Sequence, residues 1–394
     1  MKRLIGTNAM GLRAPIIKKG DDLVTIVKDV VVEASKNHEF TIQEKDIVGI
    51  TESLVARAQG NYCTIEQIVE DFNNKYDEEI SIVFPILSRN RFSNILRAAA
   101  LTEKKIKIYL SYPSDEVGNC LMDKYKLASK NVNVYNDTLT EKEYMDIVEH
   151  PYLHPFTKID YVDYYKSFAV NDNIEILFSN NIDYIAENAK EILIANIHEE
   201  DYLKNFFKSK GVDNVLTLKD IMNQPVGDSG YNPEYGLYGS NLSGENSLKL
   251  FPRDSKAFAY KLQEEIKKET GIEIEVLVYG DGAFKDPIGG IWELADPVVS
   301  PGYTDGLEGQ PNEIKLKYLA DNDLADLKGE DAIQAMKEKI SSKDKESEGK
   351  EKLGTTPRQL TDLIGSLCDL VSGSGDKGTP IVYIKGYFDN YSND

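Results

Sequence analysis

Residues 276–305 read VLVYGDGAFKDPIGGIWELADPVVSPGYTD, an apolar run that breaks into a segment rich in glycine, proline and acidic residues. The run, with the residues just before it (273–279), is typical of a buried strand, and Gly280, Asp281 and Gly282 end it. In an open α/β sheet, ligands bind in the crevice beyond the carboxyl ends of the strands. A carboxylate between two glycines at such an end can face the crevice. Asp281 is therefore the first candidate for a metal ligand.

More acidic residues follow among the glycines and prolines of the same segment. They are Asp286, Glu293, Asp296 and Asp305. Carboxylate oxygens in a rigid loop are suitable ligands for a hard cation such as magnesium or manganese. The alternative is a surface loop in which Asp, Gly and Pro simply make turns. For any single acidic residue of this segment, the turn-forming role is the commoner one. For Asp281, the position at the end of a strand favours metal binding instead.

The charge balance limits the classes of partner. The chain has 394 residues, with 46 Lys and Arg against 66 Asp and Glu, which gives a formal charge of −20. Such a field repels polyanions, so we expect neither nucleic acid nor an anionic membrane as a partner. A nucleotide remains compatible with this charge, because backbone amides and a divalent cation supply positive charge locally.

Cysteine and apolar patterns indicate a cytoplasmic protein. Cys63, Cys120 and Cys368 lie far apart without CxxC spacing, which predicts reduced thiols. No apolar run approaches the ~20 residues of a membrane span, and the first residues show no signal-peptide core. His150 and His154 have the i, i+4 spacing of a helical zinc pair, but prolines follow both of them. Because proline interrupts helices, we predict that this pair is structural.

The order of predicted elements indicates the fold class α/β, with α+β as the alternative. One helix is bounded by Asp254 as its N-cap and Gly271 as its end, and it leads into the strand at 273–279. Strand and helix patterns alternate over residues 102–223, and the strand at 381–384 is expected in the same sheet as 273–279. The expected architecture is a mixed sheet with flanking helices plus an inserted smaller α/β unit.

Pattern changes suggest three parts of the chain. Residues 1–101 and 236–394 form one divided domain that carries the metal and nucleotide loop, and residues 102–235 form the inserted unit. Residues 225–244 are rich in Gly, Asn, Ser and Tyr, which predicts a loop. Either its tyrosines line a ligand, or the loop crosses between the parts. We expect proteases to cut near residues 228–243 or in the charged run at residues 341–352.

The two ends of the chain resemble the coenzyme F-420 gamma-glutamyl ligase family. Its members add L-glutamate to a deazaflavin coenzyme and use GTP and a divalent metal. The similar segments, which occur in the family's order, are GLRAPIIKKGDDL (11–23), ITESLVARAQG (50–60), SNLSGENSLKLFPRDSKAFA (240–259), EVLVYGDGAFKDP (275–287) and TDLIGSLCDLVSG with IVYIKG (361–386). The resemblance covers the chain outside roughly residues 62–235.

The resemblance implies roles for individual residues. Four residues fall where the family's N-terminal loop meets the nucleotide, namely Leu12, Arg13, Ala14 and Pro15. Arg57 takes the place of a nucleotide-binding lysine, Asn241 matches an asparagine near the nucleotide, and Asp281 matches a metal-binding aspartate. No catalytic residue is assigned.

Three residues depart from the family's pattern. Glu52 replaces a serine, Tyr238 replaces a second metal-binding aspartate, and Gly282 replaces a threonine ligand. A site altered in this way would recruit other carboxylates, use a different acceptor, or lose catalysis. The available carboxylates are Asp286, Glu293, Asp296 and Asp305.

The resemblance therefore implies an amide ligase that depends on a nucleotide and a metal. GTP or ATP would phosphorylate a carboxylate of a small coenzyme-like acceptor, and L-glutamate would displace the phosphate, with Mg²⁺ or Mn²⁺ neutralising charge. Such chemistry requires no protein nucleophile. The resemblance also suggests a homodimer. The alternatives are a non-catalytic protein that binds metal or nucleotide on the same scaffold, and a metal-dependent phosphohydrolase.

Overall fold

The computed structural model describes residues 4–88, 91–155, 157–280, 300–343, 358–372 and 375–393, with short strands at 284–285 and 292–293. Within these residues, helices combine with mixed sheets of parallel and antiparallel strands, which confirms the predicted α/β class. In the part of the chain that the structure describes, every helix is too short or too polar to serve as a membrane span.

Strands and helices follow one another along the described chain. The strands are β1 (Asn8–Leu12), β2 (Ile47–Thr51), β3 (Tyr62–Thr64), β4 (Glu79–Val83), β5 (Lys105–Leu110), β6 (Thr138–Thr140), β7 (Ile174–Ser179), β8 (Glu191–Ile194), β9 (Asn214–Thr217), β10 (Asn241–Gly244), β11 (Ser247–Lys249), β12 (Glu275–Tyr279), β13 (Phe284–Lys285), β14 (Trp292–Glu293), β15 (Gly302–Tyr303) and β16 (Ile381–Lys385). The helices are α1 (Leu23–Asn37), α2 (Glu52–Gln59), α3 (Ile65–Lys75), α4 (Phe92–Leu101), α5 (Lys124–Ala128), α6 (Glu141–Val148), α7 (Tyr161–Lys166), α8 (Ile182–Asn188), α9 (Glu200–Ser209), α10 (Ser255–Thr270), α11 (Leu316–Asp321), α12 (Gly329–Ser341) and α13 (Leu360–Ser372).

A five-stranded sheet joins the two ends of the chain in the order β1-β16-β2-β12-β15. Both β1 and β2 run antiparallel to β16, and β12 runs parallel to β2. Consequently β1, β2 and β12 point in the same direction, and their carboxyl ends lie at one edge of the sheet. The expectation that the strand at 381–384 shares a sheet with 273–279 is confirmed.

Helices cover both faces of this sheet. Val48 and Ile50 of β2 face the core formed with α1 and α10, whereas Ile47 faces the core formed with α13. Strands buried on both faces are apolar along their whole length rather than alternating, as β2 and β12 are.

Gly49 of β2 permits the close approach of α13. A Cβ atom at this position would lie 2.4 Å from Sγ of Cys368, which is closer than packed atoms come. Cys368 and Cys63 are buried and free, in agreement with the predicted reduced thiols. Burial raises the pKa of Cys63 to about 12, so this thiol stays protonated and unreactive at neutral pH.

A six-stranded sheet occupies the middle of the chain in the order β6-β7-β5-β4-β8-β9. Its strands are parallel except β6, and the chain reverses its direction of winding between β4 and β8. Strand β4 precedes residue 102, so this sheet includes residues from both sides of the predicted boundary. The division into parts 1–101, 102–235 and 236–394 stays a prediction.

Asn61 helps to connect the two large sheets. It precedes β3, which belongs to a three-stranded sheet of order β10-β11-β3. Its Nδ2 donates to the carbonyl of Phe251 at 2.6 Å, and its Oδ1 accepts from the amide of Tyr231 at 3.0 Å. One buried amide group therefore holds the crossing segment 225–244 against the chain that enters α10.

The ends of α10 differ in how well the sequence predicted them. Gly271 ends the helix in the left-handed conformation with φ 76°, as expected. Asp254 occupies the N-cap position, but its φ is 54° and its side chain accepts no capping hydrogen bond. The predicted side-chain cap is therefore wrong, because the left-handed backbone departs from the β-region conformation that lets an N-cap side chain reach the first-turn amides.

Candidate functional site

The candidate site lies at the edge where β1, β2 and β12 end. The strand pairing places one residue from each of four adjacent strands in a single row across the sheet near this edge. The row consists, in order, of Leu12, Ile381, Ile50 and Val278. With neighbouring strands about 4.8 Å apart, it is about 14 Å long. The chain therefore leaves β1, β2 and β12 at one side of the sheet.

The last residue of β1 and the loop after it contain the four residues that the family resemblance assigns to the nucleotide. Leu12 is buried, Arg13 and Pro15 are exposed, and Ala14 is half-buried. The amide of Ala14 donates to the carbonyl of Gly378 at 3.2 Å, just before β16 begins. The sheet thus positions this loop, while the Arg13 side chain remains accessible to a ligand.

Glu52 begins α2 at the same edge and forms an ion pair with Lys249. Nζ of Lys249 lies 2.5 and 2.7 Å from the two carboxylate oxygens, and both side chains are only 12% exposed. An ion pair so shielded from water interacts more strongly than one on the surface. Lys249 also faces Asn241, its partner across β10 and β11. The pairing thus brings Asn241, Lys249 and Glu52 together at the edge.

Sequence reasoning missed Lys249, although the residue lies within a segment quoted for the family resemblance. The buried Leu248 and Leu250 on either side show that its side chain points away from their core. That alternation was the available signal. Its partner Glu52 is 197 residues distant, so no local pattern could identify the pair.

Arg57 lies farther along α2 than Glu52. Five helical residues correspond to about 7.5 Å along the axis, so Arg57 is one and a half turns from the edge. Its side chain is exposed, and the neighbouring Ala58 accepts from the amide of Gly20. Its contact with a nucleotide stays a prediction, and such a contact requires the ligand to extend along α2.

Three of the predicted metal ligands, Asp281, Asp286 and Asp296, lie outside the described residues. Strand β12 can be followed to its end, where Tyr279 pairs with Thr51, the last residue of β2. In the sequence, Asp281 is two residues beyond Tyr279. Its role as a ligand stays a prediction.

Asp305 lies at the opposite end of β12. The amide of Thr304 donates to the carbonyl of Val276, so the chain after β15 passes the beginning of β12 rather than its end. The Asp305 side chain is 74% exposed, and its Oδ1 lies 3.9 Å from Nζ of Lys256. The structure therefore does not bring Asp305 to the edge where β12 ends.

Tyr238, which stands where the family has an aspartate, is turned toward the six-stranded sheet. It is 2% exposed, and its hydroxyl donates to the carbonyl of Ile197 at 3.4 Å. The ammonium group of Lys219 lies 5.1 Å from the ring centroid. This environment suits a buried phenol and provides no oxygen for a cation at the edge.

Ser240, which precedes Asn241 in the sequence, has a side-chain hydroxyl in an unusual environment. It is 2% exposed, and its buried hydroxyl has no hydrogen-bond partner among the residues that the structure describes. Buried hydroxyls normally have a partner, because an unpaired one costs about 1–3 kcal/mol. Glu52, Asn241 and this hydroxyl offer oxygen donors of the type that hard cations bind, and Lys249 offers a cationic donor for phosphate.

The sequence also matches the model of a known protein family. The model of the family described as F420-0:Gamma-glutamyl ligase matches residues 11–386, nearly the whole chain. The matched range includes the loop after β1, the Glu52–Lys249 pair and β16. No curated protein matches the sequence.

Proposed function

The chain belongs to the F420-0:gamma-glutamyl ligase family, and from this premise we propose that it joins L-glutamate to a carboxylate of a small coenzyme-like molecule. In the proposal, the reaction consumes GTP or ATP and requires Mg²⁺ or Mn²⁺. The observation that supports it most is the convergence of β1, β2 and β12 at one edge, where Leu12, Glu52 and Asn241 with its partner Lys249 lie. Nucleotide-binding α/β sheets use this position.

The nucleotide would lie along this edge with its phosphates near Lys249. The Arg13 side chain is accessible on one side, and Asn241 lies beside Lys249 on the other. Lys249 is held by Glu52 in the structure, and a phosphate of higher charge would compete for its ammonium group. This exchange would release the Glu52 carboxylate from Lys249, and the carboxylate would then face the cation.

The residues present fit a divalent cation. Asp281 and Glu52 would hold it, with the Ser240 hydroxyl as a further oxygen, and Tyr238 would take no part because its hydroxyl points to Ile197. A bound cation would neutralise the phosphates and the leaving group. Glu52 replaces a serine of the family's pattern, and we propose that it compensates for the aspartate lost at position 238.

The proposed chemistry has two steps. A carboxylate oxygen of the acceptor attacks the terminal phosphorus, forming an acyl phosphate and releasing the nucleoside diphosphate. The amino nitrogen of L-glutamate then attacks the acyl carbon, loses a proton, and expels inorganic phosphate. Lys249 would donate to the phosphoryl oxygens in both steps, and it would therefore stabilise the charge that develops on them.

The test is transfer of labelled L-glutamate to a panel of carboxylate coenzymes, detected by mass spectrometry, with GTP or ATP and Mn²⁺ present. Lys249→Met should lower the rate by about 100-fold or more, the usual effect of losing one charge-stabilising donor. Lys107→Met is the matched control, because Lys107 forms a similarly shielded pair with Glu79 in the other large sheet. We expect the folded control protein to retain its rate.

Two other outcomes would contradict the proposal. Nucleotide binding without an adduct from any acceptor would identify a non-catalytic binding protein, the alternative favoured by the inward position of Tyr238. Phosphate release that ignores both acceptor and L-glutamate would identify a phosphohydrolase. Equal loss of rate in the Lys249 and Lys107 variants would remove the role assigned to Lys249.

A further inference from the structure

The HPYLH segment between α6 and α7 contains two histidines in different environments. His154 is buried, its Nδ1 accepts from the amide of Thr157 at 3.2 Å, and its ring packs against Tyr161. This confirms the structural role predicted for His154. His150 is partly exposed and turns instead toward two aspartates, Asp160 and Asp163, where α7 begins.

The three side chains present their ligand atoms to a common point. Nε2 of His150 lies 3.1 Å from Oδ1 of Asp163 and 3.7 Å from Oδ2 of Asp160. All three ligand atoms lie within 4.8 Å of one another. Zinc binds such atoms at about 2.0–2.2 Å, which places neighbouring ligands of a tetrahedron about 3.3–3.6 Å apart. The two measured distances lie on either side of that range.

The charges around the cluster leave the two carboxylates without a fixed cation. In the described chain, no lysine or arginine forms an ion pair with Asp160 or Asp163. Lys166, on the same helix, instead pairs with Glu141 and Asp172. Two carboxylates this close repel each other. A divalent cation would remove the repulsion.

Asp160 is already fixed in a position from which it can bind an ion. It is 6% exposed, its Oδ1 accepts from the amides of Val162 and Asp163, and its Oδ2 accepts from the amide of Tyr152 at 2.8 Å. A carboxylate has about four lone-pair sites, so Oδ2 keeps one for a metal. The ligand group would therefore need little rearrangement.

We propose that His150, Asp160 and Asp163 form a second metal site, which binds a divalent ion of the zinc class. One imidazole and two carboxylates suit zinc better than magnesium, which prefers oxygen alone. The exposed fractions of Asp163 (55%) and His150 (29%) indicate that the fourth coordination position faces solvent. The ion ties the segment after α6 to the beginning of α7. This metal site is separate from the edge where β1, β2 and β12 end, and the proposal does not depend on the proposed reaction.

The test is zinc binding by the full-length protein after removal of metals with a chelator. Competition with a chromophoric zinc indicator gives the affinity, and elemental analysis gives the stoichiometry. The Asp281→Asn variant distinguishes zinc bound at this site from metal bound at the edge where β12 ends. We expect this variant to keep one zinc ion per chain. Thermal unfolding with and without zinc gives an independent readout, and we expect bound zinc to raise the Tm.

His150→Ala and Asp163→Asn should each weaken zinc binding by about 100-fold or more, since even outer partners of a metal site contribute 10–100-fold. Asp163 is half-exposed, so its conservative replacement should fold normally. His198→Ala is the matched control, because its Nδ1 lies 2.8 Å from a single carboxylate, Glu116. The control should bind zinc as the unmodified protein does. Equal affinity in all three variants, or no stoichiometric zinc in the unmodified protein, would overturn the proposal.

Discussion

At the scale of single residues, burial decides what His150 and His154 can do. Both belong to the same short segment, yet one is 1% exposed and accepts a backbone hydrogen bond, while the other faces two carboxylates. Burial, with a smaller contribution from Lys158, lowers the pKa of His154 below its ordinary value of 6.5. The folded protein therefore resists protonation of this ring more than the unfolded chain does.

This difference predicts a loss of stability in mild acid. The contribution of neutral His154 is fully present above about pH 6.5, and it is lost as the pH falls from there through the lower folded pKa. His154→Asn should reduce this pH dependence, because an amide oxygen can accept from Thr157 but does not titrate. Urea denaturation of both proteins at about pH 7.5 and about pH 5.5 measures the effect. An unchanged difference between the two pH values in the variant would contradict the assignment.

At the scale of elements, β2 and α13 pack closely because Gly49 of β2 has no side chain. Gly49→Ala would place a methyl group 2.4 Å from Sγ of Cys368 and 3.5 Å from the ring of Tyr279. We expect a loss of about 1–3 kcal/mol in the free energy of unfolding, the usual cost of overpacking. Adding Cys368→Ala removes the sulfur and should restore part of that loss.

A double-mutant cycle in urea tests this packing. The two substitutions should be non-additive, because each alters the same contact. Cys63→Ala is a suitable control, since Cys63 is equally buried but belongs to the core of the other large sheet. Additive effects of Gly49→Ala and Cys368→Ala would show that the packing of α13 against β2 does not depend on the absence of a side chain at position 49.

The elements that the sequence predicted best are those with continuous apolar patterns. Strand β12, helix α10 and strand β16 were expected near their observed positions, because buried runs and helical stripes are local signals. The Glu52–Lys249 pair was not predictable, since its partners are 197 residues apart and each alone resembles an ordinary surface charge. Strand β4 belongs to the six-stranded sheet because it pairs with β5 and β8. The sequence of residues 79–83 does not by itself indicate these partners.

At the scale of the whole molecule, the crossing segment 225–244 is more firmly held than its composition suggests. Asn232, Leu237, Tyr238 and Ser240 are buried, and the amide of Gly230 donates to the carbonyl of Tyr62 at 2.6 Å. Glycine and serine predicted a loop open to proteases, whereas the structure shows a segment packed between the two large sheets.

We therefore expect limited proteolysis to spare residues 228–243, one of the two stretches in which the sequence suggested cleavage. Asn61→Ala should restore cleavage there, because it removes the hydrogen bonds to Phe251 and Tyr231. Lys249→Met is a useful comparison, since it alters the nearby edge but leaves Asn61 in place. Mass spectrometry identifies the cuts, and rapid cleavage of the unmodified protein within 228–243 would contradict this prediction.

The central position of β16 also affects how the protein matures during synthesis. Residues 381–385 lie between β1 and β2 and pair with both strands, so β1 lacks its partner in this sheet until these residues have been made. The six-stranded sheet, which ends at residue 217, can assemble much earlier. In a nascent chain, the six-stranded sheet can therefore be folded before β16 is available to pair with β1 and β2. The edge proposed to bind the nucleotide is therefore complete only after β16 has been made, and we expect shorter chains that lack β16 not to consume nucleotide.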